Sequence, residues 1–113
     1  MTRGDFYRVA KPPGDLKRFR VFVVASRQVL IDSQFSTVVC APVYSARHGL
    51  STEVPVGPDE GLTRESSIHC EALISVPKST LRHFVGRLAP SRSIELDRAL
   101  VAALGVDISR FAE

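Results

Sequence analysis

The chain has 113 residues, 44% of them hydrophobic, with 15 lysines and arginines against 12 aspartates and glutamates. That length and apolar content suit one domain with one core, while a net charge of +3 is too small to establish nucleic-acid binding by itself. No apolar run approaches the roughly 20 residues of a membrane helix, and the N-terminus is charged where a secretory signal needs an apolar stretch, so a cytoplasmic protein without membrane attachment is expected.

Residues 5–10 are rich in Phe, Tyr and Val and predict a first strand, followed by a KPPGD loop. Residues 19–26 (FRVFVVAS) form an almost continuous apolar run, the pattern of a central strand covered on both faces. Residues 27–32 fit one helical turn. A second buried strand follows over residues 37–43, where Pro42 implies a bulge or a strand end. Residues 52–56 place Thr52, Val54 and Val56 on one side of an edge strand, and the GPDEG segment at 57–61 breaks it with a turn. Residues 67–76 read as one strand with Ile68, Cys70, Ala72 and Ile74 on one face and His69 and Glu71 on the other.

A last short strand is expected over residues 84–88. Pro90 then suits the opening of a final helix, whose stripe of Leu96, Ala99, Leu100, Ala103 and Leu104 packs on the sheet. Gly105 stands where a left-handed cap closes it. Cys40 and Cys70 lack metal or redox spacing and read as buried free thiols, and Phe35 and Phe84 read as core. Short strands, short connections and one late helix predict a mainly β protein with α additions, a compact antiparallel barrel or a strongly curled sheet with helices at its edge. Basic residues gather at residues 11–20, at Arg47 and His48, and at Arg82, His83 and Arg87. No phosphate loop, dinucleotide fingerprint, metal-protease motif or paired CxxC is present, so motifs alone point to no cofactor and name no chemistry.

The ordered segments RGDFY (3–7), KRFRVFVV (17–24), VCAPVYS (39–45), TEVPV (52–56), SIHCEALISVPK (67–78), VGRL (85–88) and LDRAL (96–100) span almost the whole chain. Together they resemble the MazF/PemK toxin family. That resemblance implies an SH3-like or CcdB-like barrel acting as a homodimer, a metal-independent endoribonuclease that cuts single-stranded RNA. It also implies growth inhibition held in check by a cognate antitoxin.

Arg20 matches the arginine that begins the family's second strand, and a guanidinium is suited to charge building on a scissile phosphate. Tyr44 and Ser45 stand where the family usually carries Thr-Ser. Either Ser45 takes over, Tyr44 acts through a different geometry or stacks on a base, or activity is weakened. His69 and Glu71 occupy positions where relatives carry cleavage residues, and a histidine beside a carboxylate suits proton transfer. Lys11, Lys17, Arg18, Arg47 and His48 are expected to attract the RNA backbone along the groove. The alternatives are a CcdB-like, non-enzymatic DNA gyrase poison, for which residues 101–106 lack an exposed aromatic, and a degenerate member that binds RNA or antitoxin without cutting.

Overall fold

The structure is a computed structural model that describes residues 1–10 and 19–111. Among the described residues, seven strands make one antiparallel sheet: β1 (Asp5–Ala10), β2 (Phe19–Val24), β3 (Thr37–Tyr44), β4 (Glu53–Val56), β5 (Ser66–His69), β6 (Ile74–Pro77) and β7 (His83–Arg87). The order is β4-β5-β3-β2-β1-β7, with β6 also paired to β3. A short helix α1 (Gln28–Asp32) joins β2 to β3, and α2 (Ser93–Leu104) follows β7.

Strand alternation sorts the apolar residues into two layers. Phe6, Val23, Ala41, Val43, Val54 and Ile68 face one core, which Leu96 and Ala99 of α2 complete. Tyr7, Val24, Val38, Cys40 and Val76 face a second, smaller core under Ile31 of α1. The final helix opens with a tight turn at Pro90–Arg92 and closes at Gly105, which takes φ 66°. Its stripe is only partly covered, because Leu104 is 64% exposed at the free end. Both cysteines are free and buried.

The two sheet ends meet through the turn after β4. Gly61, at φ 90°, and Gly86 of β7 touch backbone to backbone. A Cβ on Gly86 would lie 1.8 Å from the Glu60 carbonyl oxygen, so only glycine permits the approach that curls the sheet into a half-barrel.

Four expectations change. The run at 67–76 is two strands, β5 and β6, separated by a 3₁₀ turn at Cys70–Ala72. Both pair with β3 but at different places, β6 at Thr37 to Cys40 and β5 at Val43 and Tyr44, so the chain must break to cross from one to the other. Pro42 neither bulges nor ends β3: it pairs in register with Phe22 and falls in the gap between the β5 and β6 ladders, where no donor is needed. Only the second half of β2 is covered on both faces, with Val23 and Val24 fully buried while Phe19 is exposed. Phe35 and Phe84 are surface residues, 67% and 54% exposed. Among the described residues no helix is long and apolar enough to cross a membrane.

Candidate active site

A cleft of about 880 Å³ opens across the start of β2, the end of β3, the loop after the Gly61 turn and the start of β7. Arg8, Arg20, Arg64 and Arg82 line it, and none of its described lining residues is acidic. Four guanidiniums around one concavity have the chemistry to attract a polyanion, since the field of like charges adds over the low-dielectric walls. Exposed Phe19 and Phe84 flank the arginines. The Arg8 guanidinium lies 4.5 Å from the Phe19 ring centre, and that of Arg87 lies 5.7 Å from the ring centre of Phe84, which also makes an edge contact with Tyr7.

Register explains the centre of the cleft. The β2–β3 pairing sets Val21 opposite Val43 and Phe22 opposite Pro42; one step further, Arg20 stands opposite Tyr44 on the same face. The Arg20 guanidinium lies over the Tyr44 ring, 4.3 Å from its centre. On the next strand Tyr44 pairs with Ser67, and on the one after Glu53 pairs with His69. Arg20, Tyr44, His69 and Glu53 therefore share one face across β2, β3, β5 and β4, opposite the face that buries Val43, Ile68 and Val54.

His69 meets Tyr44 at right angles with ring centres 4.9 Å apart. It is buried, with Nδ1 2.9 Å from Glu71 Oε2 and Nε2 3.1 Å from the Ala46 carbonyl oxygen. Burial opposes ionisation of Glu71, but hydrogen bonds from its own backbone N–H and from His69 outweigh it and hold the carboxyl below its usual range.

Of the residues singled out from sequence, Arg20, Tyr44 and Ser45 line one cleft. His69 and Glu71 do not line it; they form the layer behind Tyr44. Arg47 is held by the protein itself: Nη2 donates to Glu65 Oε2 at 2.7 Å and the Val56 carbonyl at 2.9 Å, and Nε donates to the Ser66 carbonyl at 2.9 Å. That engagement ties the loop after β3 to β4 and β5, so Arg47 is structural here. His48 is exposed, and its backbone N–H donates to Glu53 Oε1. Lys11, Lys17 and Arg18 lie outside the described residues. Sequence reasoning missed Arg8, Arg64, Phe19 and Glu53, and it saw Arg82 and His83 only as part of a basic cluster. The basic cluster was the usable signal; its position two strands from Arg20 depends on the strand order.

Comparison with known proteins agrees with this geometry. Residues 2–104 match the model of the PemK-like, MazF-like toxins of type II toxin-antitoxin systems. A probable endoribonuclease MazF of Mycolicibacterium smegmatis is 43% identical over 115 residues, covering 94% of this chain and 98% of that protein. Among solved structures, the Mycobacterium tuberculosis toxin MazF-mt6 superposes with a TM-score of 0.78 at 26% identity, covering 91% of this chain and 98% of the other. A mycobacterial endoribonuclease in complex with its cognate antitoxin gives 0.80 at 22% identity, with coverage of 95% and 97%, and so shares the fold.

Proposed function

Because this chain belongs to the PemK-like, MazF-like toxins of type II toxin-antitoxin systems, we propose that it is an endoribonuclease that cuts single-stranded RNA in the cytoplasm. The observation that carries this reading is the cleft, with no carboxylate among its described lining residues, in which Arg20 is stacked on Tyr44 beside Ser45. In the reaction the 2′-hydroxyl attacks the neighbouring phosphorus, the bond to the 5′-oxygen breaks, and the proton lost by the 2′-oxygen is made good on the leaving oxygen. The products are a 2′,3′-cyclic phosphate and a 5′-hydroxyl. Arg20 is the group suited to the negative charge that builds on the phosphorane oxygens, since it stays ionised and donates in a fork. The Ser45 hydroxyl both donates and accepts and serves as the proton relay.

Tyr44 holds the Arg20 guanidinium flat, a contact worth about 0.5–2 kcal/mol, and His69 with Glu71 positions the ring from behind. Arg64, Arg8 and Arg82 carry the flanking phosphates, and Phe19 and Phe84 offer faces on which unpaired bases stack. A homodimer is favoured by the large apolar side chains left exposed, Phe35, Ile74 and Leu104 among them. The cognate antitoxin is expected to lay an acidic, extended segment along the same arginines and so exclude RNA.

The test is cleavage of a long unstructured RNA in EDTA, with cut sites and end groups mapped. Wild type should cut without added metal, and Arg20→Ala should lower kcat by about 10²–10³. Loss of cleavage in chelator, or an Arg20→Ala variant as fast as wild type, would overturn the reading.

A further inference from the structure

Behind Tyr44, the geometry points to a divalent-cation site of the Zn²⁺ class formed by Glu53, His69 and Glu71. The three come from β4, the end of β5 and the 3₁₀ turn that follows it, and their donor atoms all lie within 4.8 Å of one another. His69 Nδ1 is 2.9 Å from Glu71 Oε2 and 4.0 Å from Glu53 Oε2.

The observation that singles this cluster out is Glu53. Its side chain is only 4% exposed. One oxygen, Oε1, accepts from the backbone N–H groups of His48 and Gly49 at 2.9 and 3.2 Å. The other, Oε2, is buried and has no hydrogen-bond partner, and it faces His69 Nδ1. A buried carboxylate oxygen left without a partner is costly, and the pinned Oε1 prevents it from turning away.

His69 is prepared in the same sense. The Ala46 carbonyl can only accept, so Nε2 bears the hydrogen in that contact, and the hydrogen that Nδ1 shares with Glu71 is the one a metal ion would displace. Metal-bound histidines characteristically donate their second N–H to a carbonyl or carboxylate, which fixes tautomer and ring angle. Both inner ligands thus have their outer contacts in place.

Tetrahedral Zn²⁺, with bonds of about 2.0–2.2 Å, needs ligand atoms about 3.4 Å apart. The observed 2.9 and 4.0 Å straddle that spacing, and Glu71, whose side chain is 41% exposed, has freedom to adjust. Two carboxylates and one imidazole leave a fourth position for water on the solvent side of Glu71. One nitrogen with hard oxygens suits Zn²⁺ and its first-row neighbours over Ca²⁺ or Mg²⁺, which take oxygen ligands. The ion would lie behind Tyr44 and takes no part in the phosphate chemistry, so the site stands independently of the nuclease reading.

The full chain, stripped with chelator and dialysed, is titrated with ZnCl₂ by calorimetry and with Co²⁺ by visible absorption. One ion per chain is expected, with cobalt d–d bands of tetrahedral intensity and a melting temperature that rises with free Zn²⁺. Glu53→Gln keeps the side-chain shape and should weaken binding at least about tenfold, as changes around metal ligands do. Glu71→Gln, at an exposed position, gives the same reading should Glu53→Gln fail to fold. His83→Gln, which removes an exposed imidazole elsewhere, should leave affinity unchanged. Absence of both heat and cobalt bands would mean that a shared proton alone satisfies the three groups and would overturn the site, as would binding lost in His83→Gln and retained in the two glutamate variants.

Discussion

Tyr44 is the position where the family resemblance and the geometry pull apart, and a three-substitution series separates the roles open to it. The ring is held between the Arg20 guanidinium, 4.3 Å from its centre, and the edge of His69 at 4.9 Å. In that arrangement the ring face supports the Arg20 guanidinium. Tyr44→Phe keeps the face and should cut RNA within about threefold of wild type. Tyr44→Ala removes a cation–π contact of about 0.5–2 kcal/mol and a stacking surface worth about 1–3 kcal/mol per base. At about 1.4 kcal/mol per decade, the combined loss of about 1.5–5 kcal/mol lowers kcat/KM by about 10–4,000-fold. Since the contact runs through Arg20, the Arg20→Ala/Tyr44→Ala double variant should lose less than the two single losses added, with a coupling of about 0.5–2 kcal/mol. Single-turnover cleavage of one defined RNA under excess protein provides all four rates. A Tyr44→Phe loss of about 10²–10⁴, the scale of a missing general acid or base, would refute the platform role and make the hydroxyl chemical. A Tyr44→Thr variant faster than wild type would instead identify a weakened member of the family.

Gly86→Ala drives a methyl into the Glu60 carbonyl, 1.8 Å away on the unmoved backbone; since both partners are main chain, a loss of about 3 kcal/mol or more is expected in urea titration. Burial pushes the Cys40 thiol to about 12 and that of Cys70 to about 11, so the native protein should react with a thiol reagent at neutral pH only as fast as it unfolds, and rapid labelling of either would contradict the packing. Arg92 grips Glu95 through two hydrogen bonds of 2.8 and 2.9 Å and holds its carboxyl below the usual range. A carboxyl depressed in the folded state adds stability above its unfolded pKa, and that stability is lost as pH falls through the folded value. With the Glu95 side chain 42% exposed, solvent screening limits the effect to about 1 kcal/mol. Glu95→Gln should therefore be less stable than wild type near neutrality, and the gap should close under acid; an unchanged gap would remove Arg92 as the cause.

The elements were legible wherever one residue pattern answers one environment. β1, β3 and β4 follow from their β-branched and alternating residues, α1 and α2 from spacing and turn chemistry, and Gly105 from its place after the last periodic residue. Legibility failed where tertiary pairing overrides the local pattern. Alternation continues unbroken through Ile68, Cys70, Ala72 and Ile74, so nothing local announces that β3 has room for two partners and that the chain must turn at Cys70–Ala72 to reach the second. Phe35 and Phe84 illustrate a different limit: hydrophobic character permits burial without requiring it, and both lie at the surface.

The candidate site divides along the same line. Arg20, Tyr44 and Ser45 could be named because short segments of sequence carry the family resemblance. That Arg20 lies on Tyr44 rather than merely near it depends on the β2–β3 register, in which both belong to one face. Glu53 could not be named at all: in TEVPV it reads as the solvent-facing residue of an edge strand, and it is buried only because β5 sets His69 opposite it and the loop after β3 folds His48 and Gly49 over its carboxylate. Arg47 shows the converse, a basic loop residue that charge alone assigns to RNA and that Glu65 and two carbonyls claim for the fold. Counting charges along a chain therefore overstates the groove at Arg47 and understates it at Arg64 and Arg8, because a guanidinium serves a ligand only where the strand order leaves its donors facing open space.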